Sequence, residues 1–408
     1  MDSQALNLED DFGQDAARPV YDWCRTANVM IVNRLILQNW RNFRTVNIEL
    51  GPRVFVAGPN ASGKSNLLDV FTFLRDIAKA GGGLQKAVNE RGGISKLRCL
   101  AARKYPDVEV EVRVADNGIL WSYAIGIKQE ARGYRLPLLA YERVMKGDRQ
   151  VLKRPDEHDV LDPLRLTQTH LEQINANAEF RELVRFFEST SYLHLVPQLL
   201  RHPEAFSGPG IPGDPFGKSF LEKVARTPAG TRKARLKRIE AALRIAVPQL
   251  KELKDVKDET GIPHLEAVYE HWRPHGAKQR EDQFSDGTLR LLGLLWALLE
   301  GDSLLLLEEP ELSLNAGIIR KLPGLMYRIQ RQKRRQIIIS THSPDLLSDP
   351  GIGGEEVLLL TPSDEGTRAE LASSIEEVRD LLEGGLTVAD AALPKTVPVS
   401  LSQMDLFE

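Results

Sequence analysis

GPNASGKSN, residues 58–66, lies between the apolar run RVFVA and an amphipathic pattern that continues from Lys64 to about Ala78. Gly58, Gly63, Lys64 and Ser65 satisfy G-x-x-x-x-G-K-[ST] without a gap, and Pro59, Asn60, Ala61, Ser62 and Asn66 complete the loop. The chemistry needs these residue types. Glycines let backbone N–H groups curl around phosphates, Lys64 can reach the β- and γ-phosphates, and the Ser65 hydroxyl can ligate Mg²⁺. A strand before the loop and a helix after it are the context this reading requires. A second G-K-S, in GDPFGKS (Gly213–Ser219), has Pro212 where the first glycine belongs and no strand before it, so it reads as a loop or helix start.

The 408 residues are enough for two or three domains with a real core. Two cysteines, Cys24 and Cys99, cannot form a disulfide framework, and a reducing cytoplasm is the simple expectation. No apolar run reaches the roughly 18 residues of a membrane span, and the N-terminus lacks a signal-peptide pattern. The net charge of −3 is uneven: Gly351–Glu408 carries twelve acidic and three basic residues, and the rest of the chain is positive. Basic clusters stand at TRKARLKR (Thr231–Arg238) and RQKRR (Arg331–Arg335). Each reads either as a solvated helix face or as a contact to a phosphate backbone.

Periodicity divides the chain. Residues 1–28 form an acidic, aperiodic leader, and Met30 is an alternative start to Met1. Residues 29–150 hold strand patterns, the phosphate loop and its helix, and alternating runs such as VEVEVRV that predict an antiparallel sheet. Residues 151–282 read as a mainly helical insertion, interrupted by the Pro/Gly-rich RHPEAFSGPGIPGDPFG. Residues 283–385 return to an α/β rhythm, and 386–408 read as a flexible tail.

SLLLLEEPE places Glu308 and Glu309 at the end of a fully apolar strand, expected to lie beside the strand that feeds the phosphate loop. Glu308 is assigned to the metal and Glu309 to polarising the attacking water. In FSDGTLRLL, Ser285, Asp286 and Gly287 open a helix whose N-terminus is a second anion site. In IIISTHSP, His342 follows a buried-type strand.

The order GPNASGKSN, FSDGTLR, LLLLEEPE, IIISTHSP resembles the ABC-type ATPases of the SMC, RecF and OLD-like group, and most closely their small stand-alone bacterial members of AAA type. LILQNWRNFRTVNIEL looks like the opening strand pair of that group. The resemblance covers about 30–130 and 280–362. It implies an α/β P-loop NTPase of ABC/RecF type, with an antiparallel β subdomain and a helical insertion. It implies ATP and Mg²⁺ as cofactors and a head-to-tail homodimer with two ATP molecules between the chains. Ser285, Asp286 and Gly287 of one chain would then face the γ-phosphate held by Lys64 of the other. Glu309 would activate water, His342 would sense the γ-phosphate, and Arg44 in NFR would touch the nucleotide.

The departures from the group also carry information. FSDGT lacks the paired glycines of transporter subunits, and the chain shows no membrane partner motif. Asn315 stands where close relatives often have His, and no segment marks the loop that usually brings a Mg²⁺-coordinating Gln. Only 66 residues follow His342, too few for the nuclease domain of OLD-like proteins. QMDLF near the end (Gln403, Met404, Leu406, Phe407) resembles the short peptide with which bacterial repair proteins bind the sliding clamp: a Gln amide at the rim, apolar side chains in the pocket. Three functions stay open at this point. One is a DNA-linked switch ATPase of genome maintenance and repair, recruited by the clamp. Another is the ATPase of an anti-phage defence complex, working with a separately encoded nuclease or toxin. The last is a nucleotide-gated binding module of slow turnover.

Overall fold

The computed structural model describes residues 30–102, 106–131, 133–205, 213–270 and 277–396. The leader, Cys24 and the tail motif Gln403–Phe407 lie outside them.

The phosphate loop grows out of a six-stranded core sheet. Its strands are β3 (Arg53–Ala57), β8 (Ser191–Leu193), β12 (Leu305–Glu308), β13 (Ile337–Thr341), β14 (Val357–Ser363) and β15 (Gly366–Leu371), in the order β15-β14-β3-β13-β12-β8. All neighbours are parallel except the β14–β15 hairpin. The central strands β3, β13 and β12 are buried on both faces because both faces are covered. Val54, Val56, Leu306 and Ile338 point into one apolar cluster, and Phe55, Ala57, Leu305, Leu307, Ile337 and Ile339 point into the other. The first cluster takes the phosphate-loop helix (Lys64–Ala78) and the second takes the helix Asp286–Leu299.

The structure corrects one adjacency. β12 was expected beside β3, but β13 lies between them, with Ile339 paired to Phe55 on one side and to Leu307 on the other. All three strands are short, buried and mostly apolar, so their composition carries no record of which is central. Register still brings the ends of β3, β13 and β12 to one edge, since Thr341 pairs with Ala57 and Ser340 with Glu308.

The expected antiparallel subdomain is a second six-stranded sheet. It comprises β1 (Ile31–Trp40), β2 (Phe43–Glu49), β4 (Val108–Asp116), β5 (Ile119–Gln129), β6 (Pro137–Lys146) and β7 (Arg149–Arg154), in the order β2-β1-β4-β5-β6-β7. Its alternating burial along β4 follows the alternating sequence.

The 151–282 block is less separate and less helical than its sequence reads. It sends β8 into the core sheet, and after the helix Ala229–Ala246 it forms a third sheet, antiparallel, of β9 (Leu250–Lys257), β10 (Pro263–Tyr269) and β11 (Ala277–Arg280). β9 and β11 are charged strands, LKELKDVK and AKQR, so they lack an apolar signature.

The tail also begins later than residue 386. Thr387 caps a short helix, Val388–Ala392, by accepting from the Asp390 amide. Val388, Ala391 and Ala392 are buried in the second cluster. Among the described residues no helix is long and apolar enough to cross a membrane.

Candidate nucleotide site

The loop after β3 is shaped by close approach. Gly63 has φ of +99°, and a Cβ there would lie 2.1 Å from Nδ2 of Asn42. A Cβ on Gly58 would meet the Leu360 carbonyl at 2.8 Å. Asn42 sits in the turn between β1 and β2. Its amide donates to the Ser62 carbonyl at 2.8 Å, and its oxygen accepts from Asn66 at 2.8 Å. Thr367, on β15, donates to the same Ser62 carbonyl at 2.9 Å. The Trp40 indole donates to the Asn66 carbonyl at 2.8 Å. The loop is thus held from outside by two distant segments, neither of which its own motif announces.

Lys64 folds its amine onto the carbonyls of Gly58 (2.9 Å) and Pro59 (3.1 Å). Burial lowers its pKa, and the charges of Glu309, Glu308 and Glu311 only partly offset that.

Glu308 closes β12. Its Oε1 accepts from the Ser65 hydroxyl and its Oε2 from the Tyr192 hydroxyl. Burial and the Glu308 charge push the Tyr192 phenol well above its ordinary pKa, so it stays a donor. Ser65 and Glu308 thus bring together two hard oxygen groups that could hold a metal. Among the described residues no group of three His, Cys, Asp or Glu could hold a metal. That pairing fits Mg²⁺, which takes one or two protein oxygens and completes its shell from phosphates and water.

Glu309 has φ of +43°, the left-handed region that a non-glycine residue enters at a cost, and its amide donates to the Ser340 carbonyl at 3.0 Å. From this kink its carboxylate reaches His342, whose Nδ1 lies 3.0 Å from Glu309 Oε1. A third acid, Glu311, is buried and accepts from the Thr341 hydroxyl at 2.5 Å. Burial raises its pKa. The sequence reading passed over Glu311, although it stands in the same EEPE.

Ser285 caps its helix by accepting from the Thr288 amide at 3.2 Å. Asp286 pairs with Arg201 at 2.6 Å and accepts from Gln198 at 3.1 Å. A Cβ on Gly287 would lie 2.8 Å from the Ser313 carbonyl. These contacts tie the Ser285–Gly287 turn to the segment after β8 and to the loop after β12. Arg44, expected at the nucleotide, is half-exposed and pairs with Glu365 of the β14–β15 hairpin. Asn315 caps the short helix Ala316–Ile319. The GDPFGKS segment is a turn in which Asp214 accepts from the Lys218 and Ser219 amides, ahead of a helix beginning at Phe220.

The structure is similar to three solved SMC head domains. One, solved bound to the C-winged helix domain of ScpA, shares 12% identity over 83% of this chain and 96% of that one, with a TM-score of 0.47. The SMC head domain from Thermotoga maritima shares 14% over 83% and 98%, with a TM-score of 0.46. The Smc head domain with an extended coiled coil, bound to the C-terminal domain of ScpA derived from Pyrococcus furiosus, shares 12% over 87% and 99%, with a TM-score of 0.47. No curated protein matches the sequence. A family model described as "AAA domain, putative AbiEii toxin, Type IV TA system" matches residues 53–348, well over half of the chain and the whole span from β3 to the helix after His342. The chain belongs to that family of P-loop ATPases.

Proposed function

We propose that this protein is an ATP-hydrolysing switch of the ABC type. The observation that carries the reading is the Glu309–His342 contact at 3.0 Å, set beside the Ser65–Glu308 contact at the same edge of the core sheet. Lys64 and the loop amides bind the phosphates, while Ser65 and Glu308 would hold Mg²⁺, which would supply charge neutralisation to the phosphates. Glu309 accepts a proton from the attacking water, and His342 orients Glu309 and reports on the γ-phosphate. Ser285, Asp286 and Gly287 complete the site of a second copy, so ATP closes a homodimer and hydrolysis opens it.

Comparing ATP turnover of wild type with Glu309→Gln tests this. A fall of roughly 10²-fold or more is expected. Equal rates, with or without DNA, would leave only a nucleotide-gated binding module.

Two settings fit such a switch. In the first it acts on DNA in genome maintenance, brought there by the clamp-like motif Gln403–Phe407. In the second it is the ATPase of a defence or toxin system, working with a separately encoded nuclease or toxin. The family's own description, which names a putative AbiEii toxin, favours the second. The test is expression in a bacterial host: growth arrest relieved by Lys64→Ala is the outcome expected in the second setting, and unimpaired growth counts against it.

A further inference from the structure

We propose that Tyr192 is the positioning residue for Glu308, and the inference rests on the assignment of Glu308 to magnesium. Tyr192 stands on β8, the edge strand contributed by the 151–282 block, opposite Leu306 of β12. Its hydroxyl donates to Oε2 of Glu308 while the Ser65 hydroxyl donates to Oε1. The carboxylate is therefore gripped from two sides, by the phosphate-loop helix and by the sheet edge.

The two grips differ in chemistry. Ser65 Oγ and Glu308 Oε1 are both oxygen ligands, so the bond between them is exchanged for the cation. A neutral phenol is a donor here, and it can keep Oε2 while Oε1 turns to the metal. Outer partners of this kind orient a ligand and commonly contribute 10–100-fold in metal affinity.

The position of the hydroxyl is set by the sheet. β8 is anchored by the Ser191 amide on the Leu304 carbonyl at 2.9 Å and by the Ser303 hydroxyl on the Ser189 carbonyl at 2.7 Å. The Tyr192 ring packs against the first apolar cluster. A side chain locked in this way holds its partner more tightly than one on a loop. The 151–282 block thereby supplies the metal site with a residue that the loop and acidic motifs do not contain.

The test is calorimetric binding of ATP to the full chain, in saturating Mg²⁺ and in EDTA, for wild type, Tyr192→Phe and Glu308→Gln. Affinity in EDTA should be the same for wild type and Tyr192→Phe. The gain in affinity given by Mg²⁺ should shrink roughly tenfold in Tyr192→Phe. A purely structural role for the ring would instead weaken both conditions alike, and that result overturns the proposal. So does an undiminished Mg²⁺ gain in Tyr192→Phe when Glu308→Gln has lost it, which leaves Glu308 as ligand. An undiminished gain in Glu308→Gln overturns the magnesium assignment and the role of Tyr192 with it.

Discussion

Asn42 occupies the space that a side chain on Gly63 would need: the missing Cβ would stand 2.1 Å from its Nδ2. The phosphate loop and the turn between the first two strands are therefore shaped against each other. Gly63→Ala should weaken ATP binding about tenfold or more, since both the clash and the positive φ must be relieved at roughly 1–3 kcal/mol. Asn42→Ala should also weaken it, because the Ser62 carbonyl and the Asn66 amide each lose a partner. Combining Gly63→Ala with Asn42→Ala removes the clash, so the double variant should bind ATP better than the sum of the single losses predicts. Strict additivity by calorimetry would show that the two positions do not constrain each other.

Behind the loop, an ion cluster ties the phosphate-loop helix to its surroundings. Asp69 pairs with Arg41 at 2.5 Å and Arg91 at 2.8 Å, and Arg91 reaches Asp76 at 3.0 Å. Burial pushes the Asp69 pKa up, but the two guanidiniums and the Thr72 hydroxyl outweigh it, so the net shift is downward. A carboxylate with a depressed folded pKa stabilises the fold above its unfolded pKa, and that contribution is lost as pH falls through the folded value. Asp69→Asn should therefore cost roughly 3 kcal/mol near neutral pH. It should also flatten the fall in melting temperature below about pH 4. Thermal melts from pH 7 to pH 2 check both.

The nucleotide edge was legible because its residues are contiguous motifs: Gly58–Asn66, Glu308–Glu309 and His342 arrive with their strand contexts attached. What supports them was not. Thr367 is 305 positions from Ser62, and nothing near it in sequence marks it as part of a phosphate site. β8 spans three residues, too short for any periodicity, yet it carries Tyr192. The family resemblance of NFR pointed to Arg44, while Asn42 two residues earlier makes the contacts to the loop. The order of β3, β13 and β12 was illegible because three short, mostly apolar strands are interchangeable by composition. Val388–Ala392 passed as tail because five small residues carry no amphipathic signal.

The two basic clusters meet in space: Arg238 donates to Gln332 at 2.7 Å. Arg335 is not part of the shared face. It is buried, with its guanidinium on the carbonyls of Ser303, Ala297 and Glu300, and burial pulls its pKa down to about 10. Lys237 and Arg331 are exposed. If this face contacts DNA, Lys237→Glu with Arg331→Glu should lower affinity for duplex DNA and reduce the salt slope by about 2. Arg335→Ala should lower the melting temperature instead, since three carbonyls lose their donor. An unchanged salt slope in the charge-reversal variant would remove this face from DNA binding.

Ser285 is exposed at the start of its helix, and Arg201 and Gln198 hold the neighbouring Asp286. On the proposed head-to-tail sandwich, this turn serves the phosphates of the other chain. Ser285→Arg should then block ATP-driven dimerisation on gel filtration while ATP binding to the single chain persists. The helix cap it removes is worth about 1 kcal/mol, so the variant should still fold. Mixing decides whether the turn acts in trans. A Ser285→Arg chain keeps a working Lys64, and a Lys64→Ala chain keeps a working Ser285. Each is inactive alone on this reading, but a mixed dimer contains one site with Lys64 and Ser285 both intact. Turnover should reappear on mixing, to at most half the wild-type level per dimer. If the Ser285–Gly287 turn acted on its own chain, neither chain would hold a complete site and mixing would restore nothing.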